Sequence, residues 1–529
     1  MPTCFSFHNA LISLALCDAG DESRVGSNPA GSDVTVAKVI SSDWTAALAE
    51  WLRRQPAIIP LNDFLYLAQY CFEVSVNCKL LLARFPQHSP TRRSGALASL
   101  DAMATRNIDT SVDSHHYEFF GPVVGPLGII LGLPAVCYAL VFLCHAETCF
   151  SLGSPLRSLS WDFRIFTWEA ALVFLGWLLF QVALHLILPG EKIEGTKLAD
   201  GSRLTYKLTG LKNFVITVSL ALYFGFVRND LNLSWLYDNY VPLMTSAIGF
   251  SLVFSAYLYA RSFVPGRLLA SEGSCSGNVI YEFFLGRELN PRVGSLDLKE
   301  FCELYPGLIG WVILNLGMAH KQLSTTGTIS APMVLVNIFQ AIYVLDSLVF
   351  ERAILTTMDI TTDGFGFMLA FGDLAWVPFT YSLQTRILVT RSPSLPWIAL
   401  AGIICLKILG YLTFRGSNSQ KDLFRRNPND PAVAHLRTLP TERGTKLITS
   451  GWWGVSRHIN YFGDWLMGVA WCLPAGTESG IVPYFYAIYF AILLVHRELR
   501  DEEACRKKYK ADYDKYCKIV PYRIVPFLY

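Results

Sequence analysis

The chain has 529 residues, of which 52% are apolar and 16% are charged, and its net charge is +2. Soluble domains carry roughly 25% charged residues, so this composition, with a mean hydropathy of +0.35, argues against a large soluble protein. The near-zero net charge also excludes a polybasic nucleic-acid binder as the default class.

The first 113 residues differ in composition from the rest of the chain. They mix Ser, Ala, Asp and Arg, and their apolar stretches are too short to cross a bilayer. We expect residues 1–113 to form a poorly ordered N-terminal extension of unknown role. A cleaved signal peptide is not expected, because the start lacks a basic segment.

Long segments without charge dominate the chain from residue 117 onward. Residues 119–146, 170–190, 239–260, 304–320 and 322–345 contain no Asp, Glu, Lys or Arg. A helix needs about 20 mainly apolar residues to cross the bilayer core, and these segments are too uniformly apolar for barrel strands. The sequence therefore predicts an all-α, polytopic integral membrane protein. We expect ten transmembrane helices near residues 120–145, 168–189, 212–228, 240–263, 305–321, 331–350, 365–388, 396–414, 464–475 and 480–496.

The charge is unevenly distributed along the chain. The last 115 residues hold 17 basic and 11 acidic residues, a net of +6, whereas the first 414 have a net of −4. Basic residues favour the cytoplasmic side of a membrane. We therefore expect the loop at residues 415–446 and the tail at 496–529 to face the cytosol, either as a solvated surface or as the site of an anionic ligand.

Several classes of enzyme lack their motifs in this sequence. The 13 cysteines form no C-x-x-C pair, so we expect neither a disulfide framework nor a metal site. No H-E-x-x-H, repeated histidine box, G-x-S-x-G, P-loop or G-x-G-x-x-G is present. If a dinucleotide binds, it does not use a Rossmann fold.

Polar residues in apolar surroundings form the first candidate site. Tyr343, Asp346 and Ser347 lie within one helical turn, and three aspartates follow within residues 359–373. Polar groups inside a membrane are costly and mark function. Burial also keeps carboxyl groups protonated, so this segment favours proton transfer. The alternative for Tyr343 is a buried tyrosine with a structural role.

Cations and aromatic rings near the C-terminus form the second candidate site. Lys421 and Arg425 are four residues apart, which places both on one face of a helix, and Arg497 and Asp501 repeat the spacing. Between them, residues 451–465 combine aromatic rings with Arg, His, Asn and Asp side chains. This composition suits a flat heteroaromatic ligand that carries phosphates. Ordinary surface ion pairs are the alternative.

At these residues the chain resembles the sterol reductase family of the endoplasmic reticulum. Within the family it resembles the fungal delta(14) type, related to the sterol reductase domain of lamin B receptor. The resemblance covers about four-fifths of the chain and rests on residues 277–311, 351–386, 414–425, 451–465 and 493–529. Three residues depart from the family pattern, since Arg, Gly and Trp are usual at the positions of Tyr305, Lys510 and Tyr513.

The resemblance implies a ten-helix fold with a non-Rossmann NADPH site that faces the cytosol. It divides the chain after the extension into a transmembrane, sterol-binding portion at residues 114–414 and an NADPH-binding portion at 415–529 that includes the last two spans. It also implies that Tyr343 and Asp501 are catalytic. The cofactor contacts it implies are Lys421, Arg425, Ile448, Trp453, Asn460, Tyr461, Asp464, Arg497, Asp501, Cys505, Lys508, Tyr509 and Tyr516.

The activity that the resemblance implies is NADPH-dependent reduction of the carbon 14–15 double bond of a sterol in ergosterol-type biosynthesis. Tyr343 would protonate the double bond before hydride transfer. The sterol would come from the membrane of the endoplasmic reticulum, and other sterol-pathway enzymes are candidate partners. Three alternatives stay open: reduction of the carbon 7 or carbon 24(28) double bond, an isoprenylcysteine methyltransferase-like enzyme, and a non-catalytic sterol-binding protein.

Overall fold

Uninterrupted apolar segments become helices in the part of the chain that the structure describes. This computed structural model describes residues 121–143, 164–198, 201–270 and 275–529, with the backbone of strand β1 at Ile58–Ile59. The prediction for residues 1–113 otherwise lies outside the described residues. The helices are α1 (Val124–Phe142), α2 (Trp168–Ile187), α3 (Gly210–Leu222), α4 (Trp235–Asp238), α5 (Tyr240–Arg261), α6 (Val279–Leu285), α7 (Leu298–Leu304), α8 (Pro306–Thr326), α9 (Ala331–Val349), α10 (Met358–Thr361), α11 (Phe367–Phe371), α12 (Val377–Thr380), α13 (Leu383–Leu388), α14 (Trp397–Arg426), α15 (Ile459–Cys472), α16 (Phe485–Tyr509) and α17 (Ala511–Ile519).

The described strands are short and form antiparallel pairs in the connections between helices. In two of these pairs, Glu191 is opposite Leu208 and Thr438 is opposite Ile448. The second pair brings the loop after α14 back toward the start of α15. The strands that follow β1 are β2 (Glu191–Glu194), β3 (Thr205–Leu208), β4 (Arg292–Val293), β5 (Leu296–Asp297), β6 (Ile329–Ser330), β7 (Thr438–Pro440) and β8 (Lys446–Ile448), and they pair as β1–β6, β2–β3, β4–β5 and β7–β8.

Seven helical segments in the described residues are long and apolar enough to cross a membrane. They are Val124–Phe142, Trp168–Ile187, Gly210–Val227, Tyr240–Arg261, Leu298–Thr326, Ala331–Val349 and Trp397–Arg426. Each coincides with one of the ten predicted spans. The predicted class, a mostly helical polytopic membrane protein, agrees with these segments.

The other three predicted spans differ from a single long helix. Residues 365–388 are divided into α11, a π-helical turn at Gly372–Trp376, α12 and α13. Pro378 lies in α12 and has no N–H to donate, which favours an interruption of the helix. The span predicted at 464–475 covers the second half of α15, which has only 14 residues, and a 3-10 turn at Leu473–Ala475. The span predicted at 480–496 includes a 3-10 turn at Val482–Tyr484 and the first part of α16, which continues as a charged helix to Tyr509.

Helix α8 lies at the centre of the bundle. It contacts α3, α7, α9, α12 and α13, and the Trp311 side chain is fully buried on it. The indole N–H of Trp311 donates to the Gln340 side-chain oxygen at 2.9 Å, and Asn315 donates to the same oxygen at 2.6 Å. A buried polar group without a partner is costly, so this network fixes α8 against α9 close to Tyr343.

A second buried network surrounds Tyr305, one of the three departures from the family pattern. The hydroxyl of Tyr305 donates to the Glu351 carboxylate at 2.5 Å and accepts a hydrogen bond from the Thr209 hydroxyl at 3.2 Å. Glu351 also accepts from the Gly210 backbone N–H at 3.0 Å, at the start of α3. Tyr305 therefore supplies a hydrogen-bond donor to a buried carboxylate.

We expect Tyr305→Phe to lower the free energy of unfolding by about 1–3 kcal/mol, because the Glu351 carboxylate loses a buried donor. The measurement is the thermal denaturation midpoint of the purified protein in detergent. Tyr223→Phe is the matched control, because its side chain is 49% exposed. Equal midpoints for the two variants would contradict the assigned role of the Tyr305 hydroxyl.

Candidate active site

Three helices bring a tyrosine, a carboxyl group and an ammonium group together inside the bundle. Tyr343 on α9 forms a hydrogen bond with Asp464 on α15. The ammonium of Lys407 on α14 lies 5.7 Å from the centre of the Tyr343 ring. The predicted proton donor therefore has a carboxyl partner, although the sequence did not indicate which one.

Two glycines allow α14 and α15 to approach closely at this point. A Cβ atom at Gly463 would lie 2.6 Å from the backbone nitrogen of Phe414, and a Cβ at Gly410 would lie 2.8 Å from the Gly463 carbonyl oxygen. Small residues at a helix interface permit such backbone contact. The close approach places Asp464, the next residue after Gly463, toward the interior groups of α14.

Asp346, one helical turn after Tyr343, has a different partner. Its carboxylate accepts from the Arg415 guanidinium at 2.8 Å and from the Tyr411 hydroxyl at 3.0 Å. Ser347 donates to the Tyr343 backbone carbonyl within the same helix. Of the polar residues predicted in this helical turn, only Tyr343 contacts Asp464.

Two of the three aspartates predicted downstream, Asp359 and Asp363, have partners other than Tyr343. Asp359 and Asp363 offer backbone carbonyls to the buried Lys299 ammonium, which contacts Asp363 at 2.7 Å. The Asp359 carboxylate contacts Arg497 at 3.4 Å. Asp373 follows in the π-helical turn that interrupts the predicted span at 365–388.

Aromatic rings surround Tyr343. Its ring centre lies 5.2 Å from that of Trp471 and 6.2 Å from that of Trp311, both in edge-on orientation. Tyr381 packs on Trp311 at 5.3 Å, and Tyr486 packs on Trp471 at 4.9 Å. The Tyr343 ring is therefore bordered by other aromatic rings, an apolar lining of the kind that suits a polycyclic substrate.

The predicted cations gather at the C-terminal end of α14. The Lys421 ammonium lies 3.9 Å from the centre of the Trp453 ring. Arg425, one turn further along, is exposed, and its charge acts on Lys421 together with that of Asp501 on α16. The Cys505 thiol donates a hydrogen bond to Asp501. The predicted contacts Lys421, Arg425, Trp453, Asp501 and Cys505 therefore belong to one region.

His458 belongs to this region, although it was not among the predicted cofactor contacts. Its Nε2 lies 3.4 Å from an Asp501 oxygen, and its ring stacks on Tyr461 with centres 5.0 Å apart. Burial, together with the positive charges of Lys421, Arg457 and Arg523, lowers the pKa of His458 to about 3. His458 is therefore neutral at pH 7. The R-H-x-N-Y motif was the sequence signal that could have identified it.

We expect His458→Gln to flatten the loss of stability at acid pH. The unfolded imidazole takes up a proton near pH 6.5 whereas the folded one stays neutral down to about pH 3. The wild type therefore loses stability as the pH falls below 6.5, by about 2 kcal/mol at pH 5. The measurement is the denaturation midpoint in detergent at pH 7 and pH 5. The exposed His435, substituted by Gln, is the control; parallel pH curves for wild type and His458→Gln would contradict the assignment.

Arg457, its neighbour in the motif, has a structural role. Its guanidinium donates to the backbone carbonyls of Val520 at 2.9 Å and Pro521 at 3.0 Å. Arg523 in the same tail contacts Glu498 at 3.1 Å and Glu502 at 2.8 Å. The C-terminal segment therefore packs against the start of α15 and supports the α16 face that carries Asp501.

The remaining predicted contacts lie on β8, α15, α16 and α17. Ile448 and Trp453 share a hydrophobic cluster, and Cys505, Tyr509 and Tyr516 share another. Lys508 lies with its ammonium 5.1 Å from the Tyr509 ring centre. Asn460 is half-buried on α15, and the Arg497 side chain is 52% exposed on α16.

The comparison with known proteins follows the same part of the chain. Residues 113–529 match the Ergosterol biosynthesis ERG4/ERG24 family. The chain belongs to the ERG4/ERG24 family. It is 46% identical over 419 residues to the delta(14)-sterol reductase erg24 of Schizosaccharomyces pombe, which is 79% of this chain and 98% of that protein. It is 48% identical over 415 residues to the delta(14)-sterol reductase TM7SF2 of Mus musculus, covering 78% and 97%. It is 46% identical over 412 residues to the delta(14)-sterol reductase LBR of Gallus gallus, covering 76% of this chain and 63% of that longer protein.

Membership of the ERG4/ERG24 family confirms the resemblance inferred from the motifs. The matched residues, 113–529, include every candidate site residue. The relatives are named as reductases, which implies a reduced nicotinamide cofactor for this ERG4/ERG24 protein.

The side chains at the end of α14 fit such a cofactor. Lys421 and the exposed Arg425 can bind phosphate through charge-assisted hydrogen bonds. The half-buried Tyr461, which stacks on His458, offers a flat face to heteroaromatic rings, and the buried Trp453 packs against the Lys421 ammonium. Within the described ranges, a buried oxygen of Asp464 lacks a hydrogen-bond partner and can accept a hydrogen bond from a bound ligand.

Proposed function

We propose that this protein reduces the carbon 14–15 double bond of a sterol intermediate in ergosterol-type biosynthesis, with NADPH as the cofactor. The observation that carries the proposal is the match over residues 113–529 to relatives named delta(14)-sterol reductase. The side-chain contact between Tyr343 and Asp464, next to the Trp471 ring, supports protonation of the double bond.

The first step is protonation, because a carbon–carbon double bond without an electron-withdrawing group does not accept hydride. Tyr343 transfers its phenolic proton to carbon 15, since a phenol with an ordinary pKa near 10 holds its proton at pH 7. A tertiary, allylically stabilised cation then forms at carbon 14. Asp464 replaces the proton on Tyr343 through their hydrogen bond, and the surrounding ring faces stabilise positive charge.

NADPH would be held by the cation and aromatic residues at the end of α14 and by the facing side of α16. Lys421 and Arg425 would bind its phosphates, and Trp453 would pack on a ring. When bound, the cofactor supplies the hydride that reduces the carbon 14 cation. Asp501 lies near Lys421 and His458. We interpret its predicted catalytic role as orienting these two side chains around the cofactor.

The membrane arrangement follows from the same proposal. Ten spans include the interrupted segment at 365–388 together with α15 and the first part of α16. The sterol enters from the membrane of the endoplasmic reticulum, and the cation cluster faces the cytosol. Helix α14 continues across residue 414, so the sterol-binding portion at 114–414 and the NADPH-binding portion at 415–529 share it.

Expression in a yeast strain that lacks its delta(14) enzyme tests this proposal. Rescue of growth, with loss of the 14–15 diene, is expected; failure with good expression would overturn it. A second assay supplies microsomes with NADPH and one sterol at a time and measures which sterol is consumed. Its result distinguishes reduction at carbon 14 from reduction at carbon 7 or carbon 24(28). Binding of labelled S-adenosylmethionine would instead support the methyltransferase alternative.

A further inference from the structure

Lys407 is a charged residue in the interior part of a membrane-length helix. Its side chain is 5% exposed on α14, and it is the only charged residue of the predicted span at 396–414. Charged side chains in membrane helices face the protein interior and mark ion or proton pathways. The family resemblance assigns no role to Lys407, and Lys407 is not among the predicted cofactor contacts.

Aromatic rings form the surroundings of the Lys407 ammonium. Its nitrogen lies 4.7 Å from the centre of the Trp471 ring, 5.7 Å from that of Tyr343 and 5.8 Å from that of Phe339. The nitrogen is buried and has no hydrogen-bond partner among the residues that the structure describes. Cation–π contacts offset only part of the cost of burying an ammonium. The position is therefore unfavourable for stability alone.

Two carboxyl groups lie close enough to attract this ammonium, namely Asp346 and Asp464. Asp346 already has the Arg415 guanidinium, which approaches through two nitrogens, and the Tyr411 hydroxyl. Asp464 interacts with Tyr343, and its buried Oδ1 has no hydrogen-bond partner within the described part of the chain. The charge of Lys407 is thus available to Asp464.

We propose that Lys407 is a positioning residue for the proton donor: its ammonium provides the counter-charge for Asp464 and so allows Tyr343 to release its proton. This inference rests on the proposed function, because it concerns the protonation of the sterol double bond. It adds to that function a residue that contacts neither substrate nor cofactor.

The protonation step balances through these groups. The O–H bond of Tyr343 breaks, and the π electrons of the double bond form the C–H bond at carbon 15. The Asp464 carboxyl returns its proton to the phenolate oxygen and becomes a carboxylate, whose negative charge lies near the Lys407 ammonium. A proton from the bulk solvent, one per turnover, restores the Asp464 carboxyl group. Without Lys407 the carboxylate would be an unpaired buried charge, which is strongly unfavourable.

Kinetics of Lys407→Met in the purified full chain test this role with a sterol 14–15 diene and NADPH. We expect kcat to fall by about 10²-fold, within the range of general acid catalysis, while the KM for NADPH changes less than threefold. The basic limb of the kcat profile should move to higher pH, because removal of a cation makes the pair hold its proton more tightly. Lys407→Arg should restore most of the activity and the original profile. The exposed Lys192, substituted by Met, is the control.

The double variant Lys407→Met with Asp464→Asn distinguishes this role from loss of packing. If Lys407 acts through Asp464, the double variant should have the kcat of Asp464→Asn alone. Multiplied losses, or an unchanged kcat and pH profile for Lys407→Met, would overturn the inference. Lys407→Gln provides the same measurements if the Met variant does not accumulate. Wild type that converts no 14–15 diene would overturn the proposed function instead, whatever the variants do.

Discussion

Tyr343→Phe is expected to lower kcat for reduction of a sterol 14–15 diene by about 10²–10⁴-fold, the usual contribution of a general acid. The substitution removes the hydroxyl that contacts Asp464 and keeps the ring that packs on Trp471. The affinity for NADPH should stay near normal, because the proposed phosphate contacts lie near the other end of α14. The measurement is steady-state consumption of NADPH and of the sterol by the purified protein, with cofactor binding measured separately.

Tyr259→Phe is the matched control for this experiment. Tyr259 is a half-buried tyrosine on α5, another membrane-length helix, and its substitution should leave kcat unchanged. A Tyr343→Phe protein that keeps full activity would show that another group protonates the sterol. Equal losses of kcat and of NADPH affinity would instead indicate a disturbed fold.

The double substitution Lys421→Gln and Arg425→Gln is expected to raise the Kd for NADPH by about 10²–10⁴-fold. Hydrogen bonds to charged groups contribute about 1.5–3 kcal/mol each, and each 1.4 kcal/mol is about tenfold in affinity. Affinity for NADH should fall less, because NADH lacks the 2′-phosphate. The measurement is titration of the purified protein with each nucleotide.

Arg426→Gln is the control for the phosphate contacts. Arg426 is the next residue after Arg425 but contacts Asp422 at 2.6 Å on an exposed face, so its loss should change the Kd less than twofold. A double variant at Lys421 and Arg425 that binds NADPH within threefold of wild type would place the phosphates elsewhere.

The membrane helices were predictable because each one is a local property of the sequence. An apolar segment without charge near 20 residues long has few alternatives in a bilayer, and seven predicted spans coincide with such helices. The interruption of residues 365–388 depends on one proline and on a π-helical turn that packing stabilises. Hydropathy alone does not distinguish it from a continuous helix.

The candidate site was predictable only where its residues are close in sequence. Lys421 and Arg425 share a face of α14, as their spacing indicated. The contact of Tyr343 with Asp464 joins residues far apart in the chain, and Lys407 comes from a third helix. Their meeting depends on the close approach of α14 and α15 at Gly410 and Gly463, which no local pattern specifies. Lys407 is nevertheless the only charged residue of its predicted span, and the sequence alone shows this.

Helix α14 is continuous from Trp397 to Arg426, and this continuity has a consequence for how the protein tolerates length changes. Lys407 and Lys421 lie about 21 Å apart along a rigid helix axis. Inserting one residue between them would rotate one lysine by about 100° relative to the other, separating Lys407 from Trp471 or Lys421 from Trp453. The loop at residues 427–437 can absorb an added residue without this rotation. Insertions and deletions in the gene should therefore be tolerated after α14 and inactivating within it.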